Sequence, residues 1–261
     1  MDLGIAGRLA LVTGASQGIG RAIALALAEE GARVVVAARS REKLQELARE
    51  IEKAGGEAYA VVADLAREEE LKRLVEETQK LGTVELFLGN TAGPRPSAAR
   101  DLQVHDLRSA AESLWYPMVA LVNALLPGMQ AKQFGRILFI TSLAVKEPIE
   151  NLALSNALRA GLTAYAKTLA REVASQGITV NTLGPGYTHT ERVEEVFAFR
   201  AAQQGISLEA AYAQQTAQIP AGRMASPQEI ADVAVFLLSA RASYLTGQAI
   251  MVEGGVIRGL L

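Results

Sequence analysis

The chain has 261 residues, half of them hydrophobic, with 21% charged and a formal net charge of −2. That is the make-up of a globular protein with a sizeable core and no basic field for nucleic acid or anionic lipid. It holds no cysteine, which excludes disulfides, thiolate metal sites and cysteine nucleophiles and fits a reducing cytoplasm.

The N-terminal run MDLGIAGRLALVTGAS is apolar in part, yet it lacks the basic leader and cleavage site of a signal peptide. No segment reaches the ~20 apolar residues that span a bilayer. The expectation is a cytoplasmic protein. In chain order, Leu9–Val12, Val34–Ala37, Ala58–Val62, Val84–Leu88, Ile137–Ile140 and Thr179–Leu183 read as buried strands, being short, apolar and often β-branched. Helical periods lie between them. Leu44, Leu47 and Ile51 share one face, as do Leu71, Leu74, Val75 and Thr78, while Leu154, Leu158, Leu162, Ala166, Leu169 and Val173 form a longer stripe. A Gln- and Ala-rich helical stretch over 187–221 breaks the rhythm where a ligand lid would sit. Ser226 and Pro227 then open a last helix before a strand at Ala249–Val252. Strictly alternating units predict an α/β fold, a doubly wound parallel sheet with helices on both faces, in one domain over 1–261.

The first strand runs into Thr13-Gly14-Ala15-Ser16-Gln17-Gly18-Ile19-Gly20, and a helix follows at once, predicted over Arg21–Glu30. Glycines there let the backbone turn sharply and approach a pyrophosphate, whose charge meets free amides at the helix N-terminus. A strand before and a helix after are the context of a Rossmann-type dinucleotide site, with Gly14, Ser16, Gln17, Gly18, Ile19 and Gly20 as its phosphate-binding residues. The second strand ends in Ala38-Arg39, with no acidic residue for a ribose 2′-hydroxyl. Arg39 instead suits a 2′-phosphate, so NADP(H) is expected, with NAD the alternative. Asp64, beside Leu65 after the third strand, either accepts from the adenine amino group or caps the helix starting near Arg67.

These residues, with Asn90-Thr91-Ala92-Gly93 and Asn181-Thr182-Leu183-Gly184-Pro185-Gly186, resemble the short-chain dehydrogenase/reductase family. The likeness runs through Arg136-Ile137, Leu169-Ala170-Arg171-Glu172, Leu245-Thr246-Gly247-Gln248 and Glu253-Gly254-Gly255, and its tone is that of 3-oxoacyl-carrier-protein reductases. It implies that Asn90, Ala92 and Gly93 border the cofactor, that Pro185, Gly186, Thr188 and Thr190 embrace the nicotinamide, and that the chain assembles as a homotetramer. It also implies four reacting side chains: a tyrosine, a lysine one turn later, a serine and an asparagine. The serine is Ser142. The tyrosine, lysine and asparagine places hold Ser155, Arg159 and Leu114.

A phenol of pKa ~10 can be tuned toward neutrality by a nearby ammonium, whereas an aliphatic hydroxyl cannot. Arg159 keeps a positive charge but holds its proton too firmly to relay it. Ser155 and Arg159 stand at i and i+4, in line with Thr163. With Ser142 they form a candidate catalytic set that polarises a carbonyl or binds a carboxylate; the alternative is a capped, solvated helix face. Tyr187 and His189 are candidate substitute acids, and Glu147-Pro148 is a candidate for the substrate cleft. His105, Trp115 and Tyr116 read as packing residues. The functional expectation is an oxidoreductase passing hydride to or from a small carbonyl-type molecule with a modified active site. The alternative is a dinucleotide-binding protein without turnover, acting as a sensor or partner subunit.

Overall fold

Along the first strand, Leu9–Thr13 (β1), successive side chains enter opposite cores: Ala10 and Val12 pack on one face, Leu9 and Leu11 on the other. The computed structural model, which describes residues 1–260, repeats this in Arg33–Ala38 (β2), where Val34 and Val36 face the first core and Val35 and Ala37 the second. Burial on both faces is why these strands read as continuous apolar runs rather than alternating ones. Five more strands follow: Glu57–Val62 (β3), Val84–Gly89 (β4), Gly135–Ile140 (β5), Ile178–Pro185 (β6) and Ala249–Val252 (β7). All pair in parallel, in the order β3-β2-β1-β4-β5-β6-β7. The predicted doubly wound sheet is therefore observed.

Gly18–Glu29 (α1), Arg41–Lys53 (α2), Glu68–Leu81 (α3), Val104–Leu114 (α4), Tyr116–Lys132 (α5) and Ala153–Val173 (α6) precede the insertion. Glu191–Gln204 (α7) and Leu208–Thr216 (α8) form it, and Pro227–Leu238 (α9) comes last. Helices α1, α2 and α9 cover one face through Ile23, Leu27, Leu44, Leu47, Ile230 and Leu237. Helices α3, α5 and α6 cover the other through Leu74, Leu121, Leu125, Leu162 and Leu169. Helix α1 starts at Gly18, earlier than the predicted Arg21, because Gly18 itself enters the first turn. The α6 stripe also differs: Leu158 is only half-buried, while Ser155 and Arg159 are buried with Leu154 and Leu162. The strand order reverses between β1 and β4, the point at which open parallel sheets form a crevice at their C-terminal ends. No helix among the described residues is long and apolar enough to cross a membrane.

Candidate functional site

The C-terminal ends of β1 to β6, with α6 and α7, enclose a cleft of about 710 Å³, a size suited to a small-molecule or cofactor site. Gly14, Ser16, Gln17, Gly18 and Ile19 line it beyond β1, Arg39 beyond β2, and Asp64 and Leu65 beyond β3. Asn90, Ala92 and Gly93 line it beyond β4, Ser142 beyond β5, and Pro185, Gly186, Thr188 and Thr190 at and beyond the end of β6. Ser155 and Arg159 enter from α6. The topology thus gathers every predicted site residue but one.

That exception is Gly20, which packs behind the cleft wall in the first turn of α1. A Cβ at Gly20 would lie 2.2 Å from the Gly14 carbonyl oxygen and 2.8 Å from Asn90 Nδ2. Gly20 is buried and lets α1 pack tightly against the end of β1. Gly14 and Gly18 do shape the cradle, with φ of +60° and +56°, a region L side chains rarely adopt. Gln17 gives α1 no side-chain cap, and its first turn carries no acidic residue, so its amides stay free for an anion. Helices α2, α7 and α9 are instead capped by Ser40, Thr190 and Ser226. Across the switch point, Thr13 Oγ1 donates to the Asn90 carbonyl at 2.8 Å and accepts from its amide at 2.9 Å, and Asn90 Nδ2 donates to the Gly14 carbonyl at 3.2 Å. Asn90 therefore fixes the loop that a pyrophosphate would meet, and the donor set fits such a group.

At the β2 end Arg39 is exposed and makes no ion pair among the described residues. Sequence reasoning missed its neighbour Lys43, which lines the same end and donates Nζ to Gln17 Oε1 at 2.6 Å. Its signal was its place in the first turn of α2, one turn beyond Arg39. Asp64 does not cap α3, whose N-cap is Arg67. Its Oδ1 accepts from the Ala66 amide at 3.1 Å, and Glu70 Oε2 accepts from the Asp64 amide at 2.8 Å. That turn presents the Asp64 carboxylate to the cleft.

At the other end Ser142 Oγ accepts from the Ala144 amide at 3.1 Å, which leaves its proton available to a ligand. Arg159 lies across from it, 8% exposed. Its Nη1 donates to the Ile140 carbonyl at 2.7 Å and its Nε to Ser155 Oγ at 3.3 Å. The solvated-face alternative for this pair is excluded by their burial. Burial, with the Arg192 guanidinium adding a like charge, brings Arg159 down to about 10. Arg192 and Arg200 of α7 also line the cleft, and sequence reasoning missed both. Arg192 donates to the Pro94 carbonyl and lies over Gly93, where a Cβ would be 3.0 Å from its Nε.

The remaining candidates divide between the cleft and other surfaces. His189 is exposed and lines a separate groove with Arg21 and Tyr212, because its amide is tied to the Ala225 carbonyl at 2.9 Å. Tyr187 does line the cleft, but its ring packs 5.8 Å from that of Phe197. Glu147 and Pro148 form an exposed turn, with Ile149 reaching the cleft instead. Leu114 is buried at the end of α4, and Ser113 faces the cleft mouth. Of the supposed packing residues, Trp115 packs on Tyr165, whereas His105 and Tyr116 are exposed.

Comparison with known proteins supports this geometry. A family model described as Enoyl-(Acyl carrier protein) reductase matches residues 14–257. The 3-oxoacyl-[acyl-carrier-protein] reductase of Vibrio cholerae is 34% identical over 255 residues, 97% of this chain and 99% of that protein. Among solved structures, L-sorbose reductase from Gluconobacter frateurii, complexed with NADPH and L-sorbose, has a TM-score of 0.93 at 33% identity, with both chains covered completely. A variant of actinorhodin polyketide ketoreductase with NADPH has a TM-score of 0.92 at 31% identity, over 97% of this chain and 98% of that one. Sequence, fold and the crevice at the strand ends agree, and the chain belongs to the short-chain dehydrogenase/reductase family.

Proposed function

We propose that the chain is an NADP(H)-dependent oxidoreductase acting on the carbonyl group, or the corresponding alcohol, of a small molecule. The observation that carries this reading is the continuity of one cleft from the open N-terminus of α1 to Ser142. The amides of the glycine turn hold the pyrophosphate, Arg39 and Lys43 bind a 2′-phosphate, and Asp64 accepts from the adenine amino group. Pro185, Gly186, Thr188 and Thr190 wall the nicotinamide, whose bound form supplies or accepts the hydride. Ser142 donates a hydrogen bond to the substrate oxygen, and the charge of Arg159, buried in the wall of the same cleft, stabilises negative charge developing there. Neither side chain gives up a proton near neutral pH, so water delivers the proton to the product oxygen. The relatives solved with NADPH support the cofactor assignment. The tetramer of the family is part of the reading, with exposed Val104, Leu107 and Tyr116 as apolar surface to bury.

A second reading, binding without turnover, is favoured by one observation: Tyr187 is the sole phenol lining the cleft among the described residues, and it stacks on Phe197. Consumption of NADPH by the purified protein, across a panel of ketones and oxoacids, separates the two. Carbonyl-dependent loss of NADPH, faster than with NADH, is the expected result. Tight NADPH binding with no turnover on any of them would leave the second reading.

A further inference from the structure

The cleft contains two cationic zones, and the cofactor reading accounts for only one of them. Arg39 and Lys43 stand at the end of β2, beside the free amides beyond β1. Arg159 stands at the end of β5, three strand spacings from β2, or about 14 Å at ~4.8 Å per strand. A dinucleotide laid on the glycine turn brings its phosphates to β1 and β2. Its nicotinamide end is neutral when reduced and positive when oxidised, so it offers Arg159 no counter-charge.

Nor do the described residues offer one. No carboxylate among the described residues lies within ion-pair distance of Arg159, and its Nη2 donates to no protein group. The charge acting on it most is another cation, Arg192. Arg192 itself pairs with Glu195 at 3.2 Å, a partly exposed pair at the cleft rim that counts for little. A guanidinium that is 8% exposed and unpaired is expensive to keep. A ligand anion would offset that penalty, and a planar guanidinium fork matches a carboxylate. Ile149, Leu152, Val193, Val196 and Phe197 line the same end with apolar surface.

We propose that the substrate is a carboxylate with a compact apolar body, its carboxylate seated on Arg159 and Arg192 closing over it from α7. This rests on the reading that the same cleft holds NADPH. The competing role for Arg159 is a hydrogen bond to hydroxyls of the nicotinamide ribose.

The test is calorimetric, with benzoate and its neutral isostere benzamide as probes. NADPH is titrated first; its failure to bind removes both readings. With NADPH bound, benzoate is expected to bind at least roughly tenfold tighter than benzamide. Arg159→Gln should abolish that preference while NADPH affinity stays within about twofold, and Arg159→Lys, which keeps the charge, should restore part of it. Three results overturn the proposal: equal affinity for the two probes, no benzoate binding at concentrations on the order of tens of millimolar, or an Arg159→Gln variant that loses NADPH affinity and keeps its benzoate preference.

Discussion

Arg159 donates Nη1 to the main-chain carbonyl of Ile140 at 2.7 Å, tying the middle of α6 to the last residue of β5. Two residues further along the chain is Ser142, so the same bond sets a buried cation beside the one serine hydroxyl the β5 end contributes to the cleft. The chain keeps this arrangement against the preference of a charge for water.

The cost of that charge is measurable. Lowering the guanidinium from its ordinary range to about 10 corresponds to roughly 3 kcal/mol of disfavoured charge at neutral pH. Arg159→Met removes it and forfeits hydrogen bonds worth ~1–2 kcal/mol. A net gain of about 1–2 kcal/mol is predicted, a rise in Tm of roughly 3–6 °C in thermal melts. The folded chain holds this proton only to about pH 10, the unfolded chain to a higher pH. The penalty is thus complete below pH 10 and fades above it, so the gain from the substitution should be constant through neutral pH and shrink above about 10.

The glycines of the first turn separate into two classes. At Gly18 a side chain must take φ of +56° with its Cβ 3.2 Å from Thr190 Cγ2. Gly18→Val should weaken NADPH at least about tenfold in a titration. At Gly20 the obstacle is the Gly14 carbonyl itself, 2.2 Å from a Cβ. Gly20→Ala should cost about 1–3 kcal/mol in denaturant unfolding whether or not cofactor is present.

In the proposed function Arg39 and Lys43 bind the 2′-phosphate together. Arg39→Ala and Lys43→Ala should each reduce the ratio of NADPH to NADH affinity by about five- to tenfold, and leave NADH affinity nearly unchanged. The check is a pair of Kd values for each variant, measured at one ionic strength because exposed phosphate contacts are screened by salt.

Much of this was legible in the sequence where the signal is local. Gly14, Ser16, Gln17, Gly18, Ile19, Arg39 and Ser142 are each read against the strand immediately before them, and the structure lines the cleft with all of them. The spacing of Gly20 does not reveal its close contact with a carbonyl six residues back, which only the folded turn creates. Arg159 looked equally suited to a solvated face, since charge at i+4 from a serine is common on exposed helices. Its burial comes from α6 packing on the end of β5, which no local pattern encodes. Arg192 and Arg200 sit in a Gln/Ala-rich stretch whose path over the cleft is set by tertiary contacts, including the reach of Arg192 to Pro94.

Ser155 and Arg159 face the same cleft as Ser142, so the pair can be converted. Ser155→Tyr with Arg159→Lys provides a phenol and an ammonium one turn apart. Reduction of a simple ketone by NADPH should rise at least about tenfold, and any preference for carboxylates should fall. Steady-state NADPH oxidation with a neutral ketone measures it; no gain in a folded, NADPH-binding variant would mean that pocket shape, or Leu114 in place of an asparagine, limits the rate.

The most direct measurement is a titration of the purified protein with NADPH and with NADH, followed by nicotinamide fluorescence or heat. One site per chain for NADPH, with NADH bound at least about tenfold more weakly, is the predicted result. A folded sample that binds neither dinucleotide would contradict the cofactor assignment and the oxidoreductase reading built upon it.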